Sequence, residues 1–366
     1  MSYLSRIAAA ARSSDLTSDE LRYYARHLLL PGIGPSGQRK LKAGRVLVVG
    51  AGGLGCPALQ GLAGAGVGRV TVMDGDRVER SNLSRQWLHG QASEGRNKAA
   101  SAAEALERGN PLIEVRAIPG RLTAANAAEL VRAHDVVVDA SDEVEVRYLL
   151  DEVCAAEDRP WVFAGLYRER AQLSCFWARY GATFRGLYPE SGEAPSCARA
   201  GMLGAAASVA GHLQALEVVK LITACARPKV GVLVSLDTAG VVVSEFSLPG
   251  ADAPEPIAEP AAGGGGMSVS EFAQARLVHQ PMTLVDIRPS SAYAAGGWDE
   301  AISCPAETLL ASGLPASAEA NGLVVLLCEE GTISAMLADA LCGRVDGRLT
   351  WLRGGLDAWE RGFETL

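Results

Sequence analysis

The chain has no two cysteines in CxxC spacing, no excess of positive charge and no uncharged apolar run long enough to cross a membrane. Each absence excludes a class. The eight cysteines stand far apart, at positions 56, 154, 175, 197, 225, 304, 328 and 342. A disulfide framework does not suit a chain of this size and composition, so free thiols in a reducing cytoplasm are expected. The formal net charge of -8 argues against a general nucleic-acid surface, which needs clustered lysine and arginine. A local basic site inside an acidic chain stays open. A bilayer span requires about 18 or more apolar residues, so no membrane segment is expected. The first residues carry Arg6, Arg12, Asp15 and Asp19 rather than the apolar core of a secretory leader.

What is present is patterned. At 366 residues, 48% hydrophobic and 21% charged, the chain is long enough for two domains with separate cores. The proline- and glycine-rich stretch PGADAPEPIAEPAAGGGG, residues 249–266, lacks apolar periodicity and reads as a flexible linker spanning about 20–25 Å. It separates an expected first domain, 1–248, from an expected second, 267–366. In the first, Thr17 to Glu20 forms a capping box ahead of a helix in LRYYARHLLL. The buried-strand runs RVLVVG, RVTVMD, IEVRAIP, DVVVDA and WVFAGL then alternate with helical patterns. That alternation predicts an α/β fold with a Rossmann-like, doubly wound, mainly parallel sheet. A long apolar helix in GMLGAAASVAGHLQALEVVKLITA precedes two further strands, VGVLVSLD and GVVVSEFSL. After the linker, TLVDIR, LVVLLC, TISAMLADALC and GGLDAWERG repeat the alternation as a smaller α/β module.

Gly50-Ala51-Gly52-Gly53-Leu54-Gly55 follows the first strand and opens a helix. Gly50, Gly52, Gly53 and Gly55 suit a tight turn whose amides and helix N-terminus face phosphate, and Asp74 at the next strand end suits a ribose hydroxyl. Alone, these features leave a nicotinamide-dependent oxidoreductase open. The discriminating stretch runs from Asp74 through Arg77, Glu79, Ser81, Asn82, Leu83, Ser84 and Arg85 to Gln86. It resembles the signature of the MoeB/ThiF family, relatives of the ubiquitin-activating enzymes. The resemblance runs from about Leu21 to Phe246 and takes in Arg26, Lys98, Asp139 and Asp142.

The resemblance implies ATP-dependent adenylylation of the C-terminal carboxylate of a small ubiquitin-like sulfur-carrier protein. It assigns the ribose to Asp74, phosphates to Asn82, Arg85 and Lys98, and Mg²⁺ to Asp142. Arg26 would enter from the other subunit of a homodimer, with Gln86 and Arg147 as neighbours of the phosphates. The chemistry suits those types: a carboxylate nucleophile needs no base, whereas two anions meeting at ATP need cations and a hard divalent ion. Taken singly, Arg85 or Lys98 reads as a solvated charge and Asp142 as a helix cap.

The family often holds a structural zinc with two CxxC pairs. The first pair would fall in Ala182-Thr183-Phe184-Arg185-Gly186, which has no cysteine, so no zinc site is expected and packing must hold that loop. Cys197 aligns with the cysteine that some relatives link covalently to the carrier, and Arg199 and a helix start nearby favour its thiolate. Cys56, Cys154, Cys175 and Cys225 lie in apolar patterns and read as core. Near the end, Cys328-Glu329-Glu330-Gly331-Thr332-Ile333-Ser334 resembles the rhodanese active loop, with LVDIRP and LRGGLDAW as further rhodanese-like pieces. Glu329, Glu330 and Ile333 depart from the arginine-bearing loops of relatives and should repel an anionic donor such as thiosulfate. A protein persulfide, as on a cysteine desulfurase, is therefore the expected sulfur source. Two readings of this module stay open: a persulfide carrier at Cys328, or a non-catalytic docking domain.

Overall fold

The computed structural model describes residues 3–30, 32–189, 201–248, 250–251, 265–319, 322–341 and 348–363. The chain forms two compact units: Met1–Ser14 with Arg39–Ile257, and Asp15–Gln38 with Ala258–Leu366.

The first unit is built on eight strands: β1 (Arg45–Val49), β2 (Arg69–Met73), β3 (Glu114–Ile118), β4 (Val136–Asp139), β5 (Trp161–Tyr167), β6 (Arg170–Phe176), β7 (Val232–Asp237) and β8 (Val242–Ser247). Their spatial order is β3-β2-β1-β4-β5-β6-β7-β8. The first five are parallel, and β6, β7 and β8 extend the sheet antiparallel. The Rossmann-like, mainly parallel sheet expected from the sequence is therefore present. Central strands read as unbroken Val and Leu runs because both faces are covered. Val46 and Val48 face one core cluster, while Leu47 and Val49 face the other. Strand order reverses between β1 and β4, which opens a crevice at their C-terminal ends where ligands of such sheets bind.

The apolar helix Gly204–Thr223 lies against the helix Gly55–Ala65 at backbone distance. A Cβ on Gly211 would sit 2.3 Å from the Leu54 carbonyl oxygen, so only glycine allows that approach. This is the one described helix long and apolar enough to cross a membrane, and Ala206, Ala210, Val218 and Ile222 on it are buried in the core.

The loop that lacks its expected cysteine pair is held otherwise. Asp151 accepts from the backbone N–H of Phe184 at 2.7 Å and of Arg185 at 3.1 Å. The Phe184 ring packs among Trp161, Phe163, Phe176, Tyr148 and Tyr188.

In the second unit β9 (Thr283–Asp286), β10 (Ile302–Ser303), β11 (Leu323–Leu327) and β12 (Arg348–Trp351) form a parallel sheet in the order β10-β9-β11-β12. The capping box at Thr17 and Glu20 is formed. The helix it opens, Ser18–Tyr23, stops at Tyr24 and resumes as Ala25–Leu28, where one continuous helix was expected. The break accompanies burial: Leu21, Tyr24 and Leu28 are all inside, and Leu16, Leu21 and Leu28 share a core with Val285, Leu309, Leu310 and Leu326.

Candidate active sites

A cleft of about 300 Å³ opens at the C-terminal ends of β1, β2 and β4. Its floor is the glycine turn. Gly50 has φ +103°, and a Cβ there would lie 2.6 Å from the Ala140 carbonyl oxygen; one on Gly55 would lie 2.0 Å from that of Gly50. These two glycines let β1, the β4 loop and the helix meet. Gly52 differs, because a Cβ there would find its nearest neighbour, Gln86 Nε2, at 3.8 Å, so its backbone faces the open cleft.

Two side chains, Asp74 and His89, lock the turn. The Ala51 N–H donates to Asp74 Oδ2 at 2.8 Å, and the Asp76 N–H donates to Asp74 Oδ1 at 2.8 Å. Each carboxylate oxygen keeps a second acceptor position. Buried His89 places Nε2 3.0 Å from the Ala51 carbonyl and Nδ1 3.0 Å from Ser101 Oγ. A carbonyl only accepts, so Nε2 carries the proton and Nδ1 accepts from Ser101. Desolvation lowers the pKa of His89 and keeps the ring neutral.

The cations line the same cleft. Lys98 begins the helix Lys98–Gly109, whose N-cap Asn97 accepts from the Ala100 N–H at 3.1 Å and donates to the Asp74 carbonyl at 2.9 Å. Lys98 Nζ lies 3.2 Å from Asp76 Oδ2. Arg121 donates to Asp76 Oδ1 at 2.9 Å and also pairs with Glu143. Arg85 donates to the Ser81 carbonyl at 2.9 Å. Asn82 and Gln86 are buried, and the Gln86 side-chain oxygen has no partner among the described residues. Arg147 also lines the cleft, but it is tied to fully buried Asp139 at 3.1 Å and lies over the Phe163 ring. Desolvation raises the Asp139 pKa against the opposing pull of Arg147 and Ser141.

Asp142 is exposed at the cleft, and among the described residues nothing hydrogen-bonds or ion-pairs with its carboxylate. It does not cap the following helix, whose N-cap is Glu143. A carboxylate left unengaged in the cleft is a donor of the kind a hard divalent cation takes.

Thus Gly50, Gly52, Gly53, Asp74, Asn82, Arg85, Gln86, Lys98 and Asp142 meet in one cleft, with Gly55 directly beneath it. Arg26 does not join them: its exposed side chain pairs with Glu307 in the second unit. Cys197 lies outside the described residues. Arg121 and His89 escaped the sequence reading, and Asp76, inside the discriminating stretch, carried no assigned role there. Cys225 is half-exposed just past a helix end rather than core, because Ala224 turns the chain with φ +61°. Cys56, Cys154 and Cys175 are buried, and burial pushes the Cys56 thiol up to about 12.

The second unit holds Cys328 at the end of β11, buried, with Sγ 3.4 Å from the Ser334 N–H and 3.2 Å from Ser334 Oγ. Close glycine approaches shape the surrounding loops. Gly331 has φ +80° and Gly355 has φ +64°, and a Cβ on Gly355 would lie 2.1 Å from the Glu329 carbonyl oxygen. Arg288, half-buried, is bound to Asp286 at 2.8 Å and reaches Glu329 at 3.7 Å. The loop thus has an arginine beside it after all, from the turn after β9, though buried Asp286 neutralises it.

The profile of the ThiF family matches residues 24–255. The "Probable adenylyltransferase/sulfurtransferase MoeZ" of Mycobacterium tuberculosis is 41% identical over 232 residues, 62% of this chain and 59% of that protein. The matched part thus spans little more than half of that relative. The "Adenylyltransferase and sulfurtransferase MOCS3" of Drosophila yakuba is 32% identical over 381 aligned positions, covering 94% of this chain and 84% of the relative, so both units are included. Among solved structures, E. coli MccB with MccA-N7isoASN matches at TM-score 0.56 and 21% identity over 64% of this chain and 72% of that one, a likeness of fold.

Proposed function

The chain belongs to the ThiF family, and from that premise we propose that it adenylylates the C-terminal carboxylate of a small ubiquitin-like sulfur-carrier protein and then passes it sulfur. One observation carries the reading. A glycine turn, four cations and an unengaged carboxylate converge on a single cleft at the switch point of the sheet. A site for polyphosphate needs that combination, and a carboxylate substrate needs nothing more to become a nucleophile.

The residues divide the work. Asp74, fixed by two amides, takes the ribose hydroxyls. The Gly52 and Gly53 backbone and the cations Arg85 and Lys98 take the phosphates, exchanging their present partners for oxygens of ATP. Asp142 would hold Mg²⁺, which when bound offsets charge on the departing pyrophosphate. The carrier carboxylate attacks the α-phosphorus, the bond to the bridging oxygen breaks, and acyl-adenylate and pyrophosphate result. For Arg26 to serve a neighbouring subunit in a homodimer, its pair with Glu307 must open. The second unit supplies the sulfur step at Cys328, with the persulfide first delivered by a protein donor and Cys197 as the second thiol.

Carrier-dependent exchange of radiolabelled pyrophosphate into ATP tests the first step. Exchange that needs both Mg²⁺ and a carrier ending in a free carboxylate is expected. No exchange across a panel of such carriers, with a folded enzyme that binds NAD instead, would overturn the reading.

A further inference from the structure

We propose that the pocket over Cys328 is a composite site, walled by the N-terminal segment Asp15–Gln38 as well as by the C-terminal residues. It is selective for sulfur donors that are uncharged or cationic beside the reacting sulfur. This rests on the reading of Cys328 as a sulfur-handling thiol.

The pocket is about 560 Å³, within the range of small-ligand cavities. Leu29, Ile287, Pro305 and Ile333 give it apolar walls around Cys328. Leu29 comes from a part of the chain almost three hundred residues away from the cysteine, and its place there is built. Leu16, Leu21 and Leu28 are buried in the core beneath the pocket. Arg22 Nε donates to the Ala311 carbonyl at 2.6 Å, and Arg26 pairs with Glu307, itself a pocket residue. Three kinds of contact on successive helical turns fix the segment, so Leu29 is a wall and not a passing neighbour.

The charge around the pocket is one-sided. Glu307, Glu329 and Glu330 line it with Arg288, while buried Asp286 lies behind Arg288 and Arg26 reaches only Glu307. Both guanidiniums are already paired, Arg288 to buried Asp286 and Arg26 to Glu307. Among the described residues lining the pocket the one cation, Arg288, is held by a buried carboxylate, and the exposed carboxylates Glu307, Glu329 and Glu330 repel an inorganic dianion. A donor flanked by ammonium or guanidinium groups is drawn in by the same field. At such a donor the Cys328 thiolate bonds to the outer persulfide sulfur as the sulfur–sulfur bond breaks. The donor leaves as its thiol, the proton moves to it, and no oxidant is consumed.

The test uses the full chain and three methanethiosulfonates, carrying an ammonium, a sulfonate or only a methyl group. Modification of Cys328 is followed by mass spectrometry, with each rate divided by the rate on the denatured chain. The ammonium reagent should lead the sulfonate by about tenfold or more, and Glu329→Gln with Glu330→Gln should bring the ratio toward one. Leu29→Trp should slow all three reagents at Cys328, and Leu29→Ala, the variant to use if the tryptophan fails to fold, should speed all three. Equal rates for the two charged reagents, an inert Cys328, or indifference to both Leu29 variants would overturn the proposal. Loading Cys328 in parallel from an aminothiol persulfide and from a protein persulfide separates the two sources of this chemistry. Faster loading from thiosulfate than from either would sink it. Failure of the sulfur reading itself shows differently, as reagent selectivity without any persulfide on Cys328.

Discussion

Replacing Lys98 with methionine keeps the aliphatic stem and removes the charge, so it isolates the ammonium. The side chain is only 10% exposed, and its partner Asp76 is 51% exposed. Because that carboxylate is solvated and still has Arg121, the Lys98–Asp76 pair is worth less than about 1 kcal/mol to folding. The same ammonium on a phosphate makes a charge-assisted hydrogen bond worth about 1.5–3 kcal/mol. Pyrophosphate exchange should therefore fall in kcat/KM by about ten- to a hundred-fold or more. The thermal midpoint should shift by no more than about 2–4 °C. Exchange kinetics and a thermal melt on the same preparation check both. Unchanged exchange would refute the assignment of Lys98 to phosphate, and a large fall in the midpoint would make it a structural residue.

Gly55→Ala should cost at least about 1–3 kcal/mol in overpacking and abolish nucleotide binding, whereas Gly52→Ala should fold normally and weaken nucleotide affinity alone; melts and a nucleotide titration compare them. His89 and His134 both have pKa values lowered, chiefly by desolvation, from the ordinary 6.5. A depressed folded pKa contributes stability above 6.5 that is lost as pH falls through the folded value. Denaturant midpoints should thus drop on acidification, and the double variant His89→Gln, His134→Gln should flatten the profile. Cys328→Ser should abolish carrier thiocarboxylate, read as a mass gain of one sulfur for oxygen, while pyrophosphate exchange continues; full output from the variant would favour the docking role.

The sheet was legible because parallel strands covered on both faces must be apolar without interruption, as in Val46 to Val49 and Val136 to Val138. β6 was less so, since Arg170 to Phe176 interleaves Ala171, Leu173 and Cys175 with the polar Gln172 and Ser174 instead of forming an unbroken apolar run. The cleft was legible through its glycines, Asp74 and the Asn82–Gln86 run, which lie close together in sequence. Arg121 and Glu143 lie far from that run and meet it only through the order of the strands. His89 acts through two hydrogen bonds across the fold, and no local pattern announces them. The helix break at Tyr24 likewise follows from burial against residues near Leu310, which the local sequence does not contain.

Burial of the partner carboxylate sorts the arginines and lysines of this chain into fixed and exchangeable. Arg6, Arg147 and Arg288 are bound to Asp135, Asp139 and Asp286, each at most 1% exposed in its side chain. Pulling Arg147 or Arg288 away would strand a buried carboxylate, at about 3–5 kcal/mol, while Asp135 is held by Arg45 as well as Arg6. No incoming phosphate repays that easily, so these pairs are architecture. Lys98, Arg121 and Arg26 are bound to Asp76, Glu143 and Glu307, all about half exposed. Water replaces the cation at those carboxylates at little cost. Of the cations that line the cleft, Lys98 and Arg121 can therefore change partners, whereas Arg147 should stay with Asp139 when nucleotide binds.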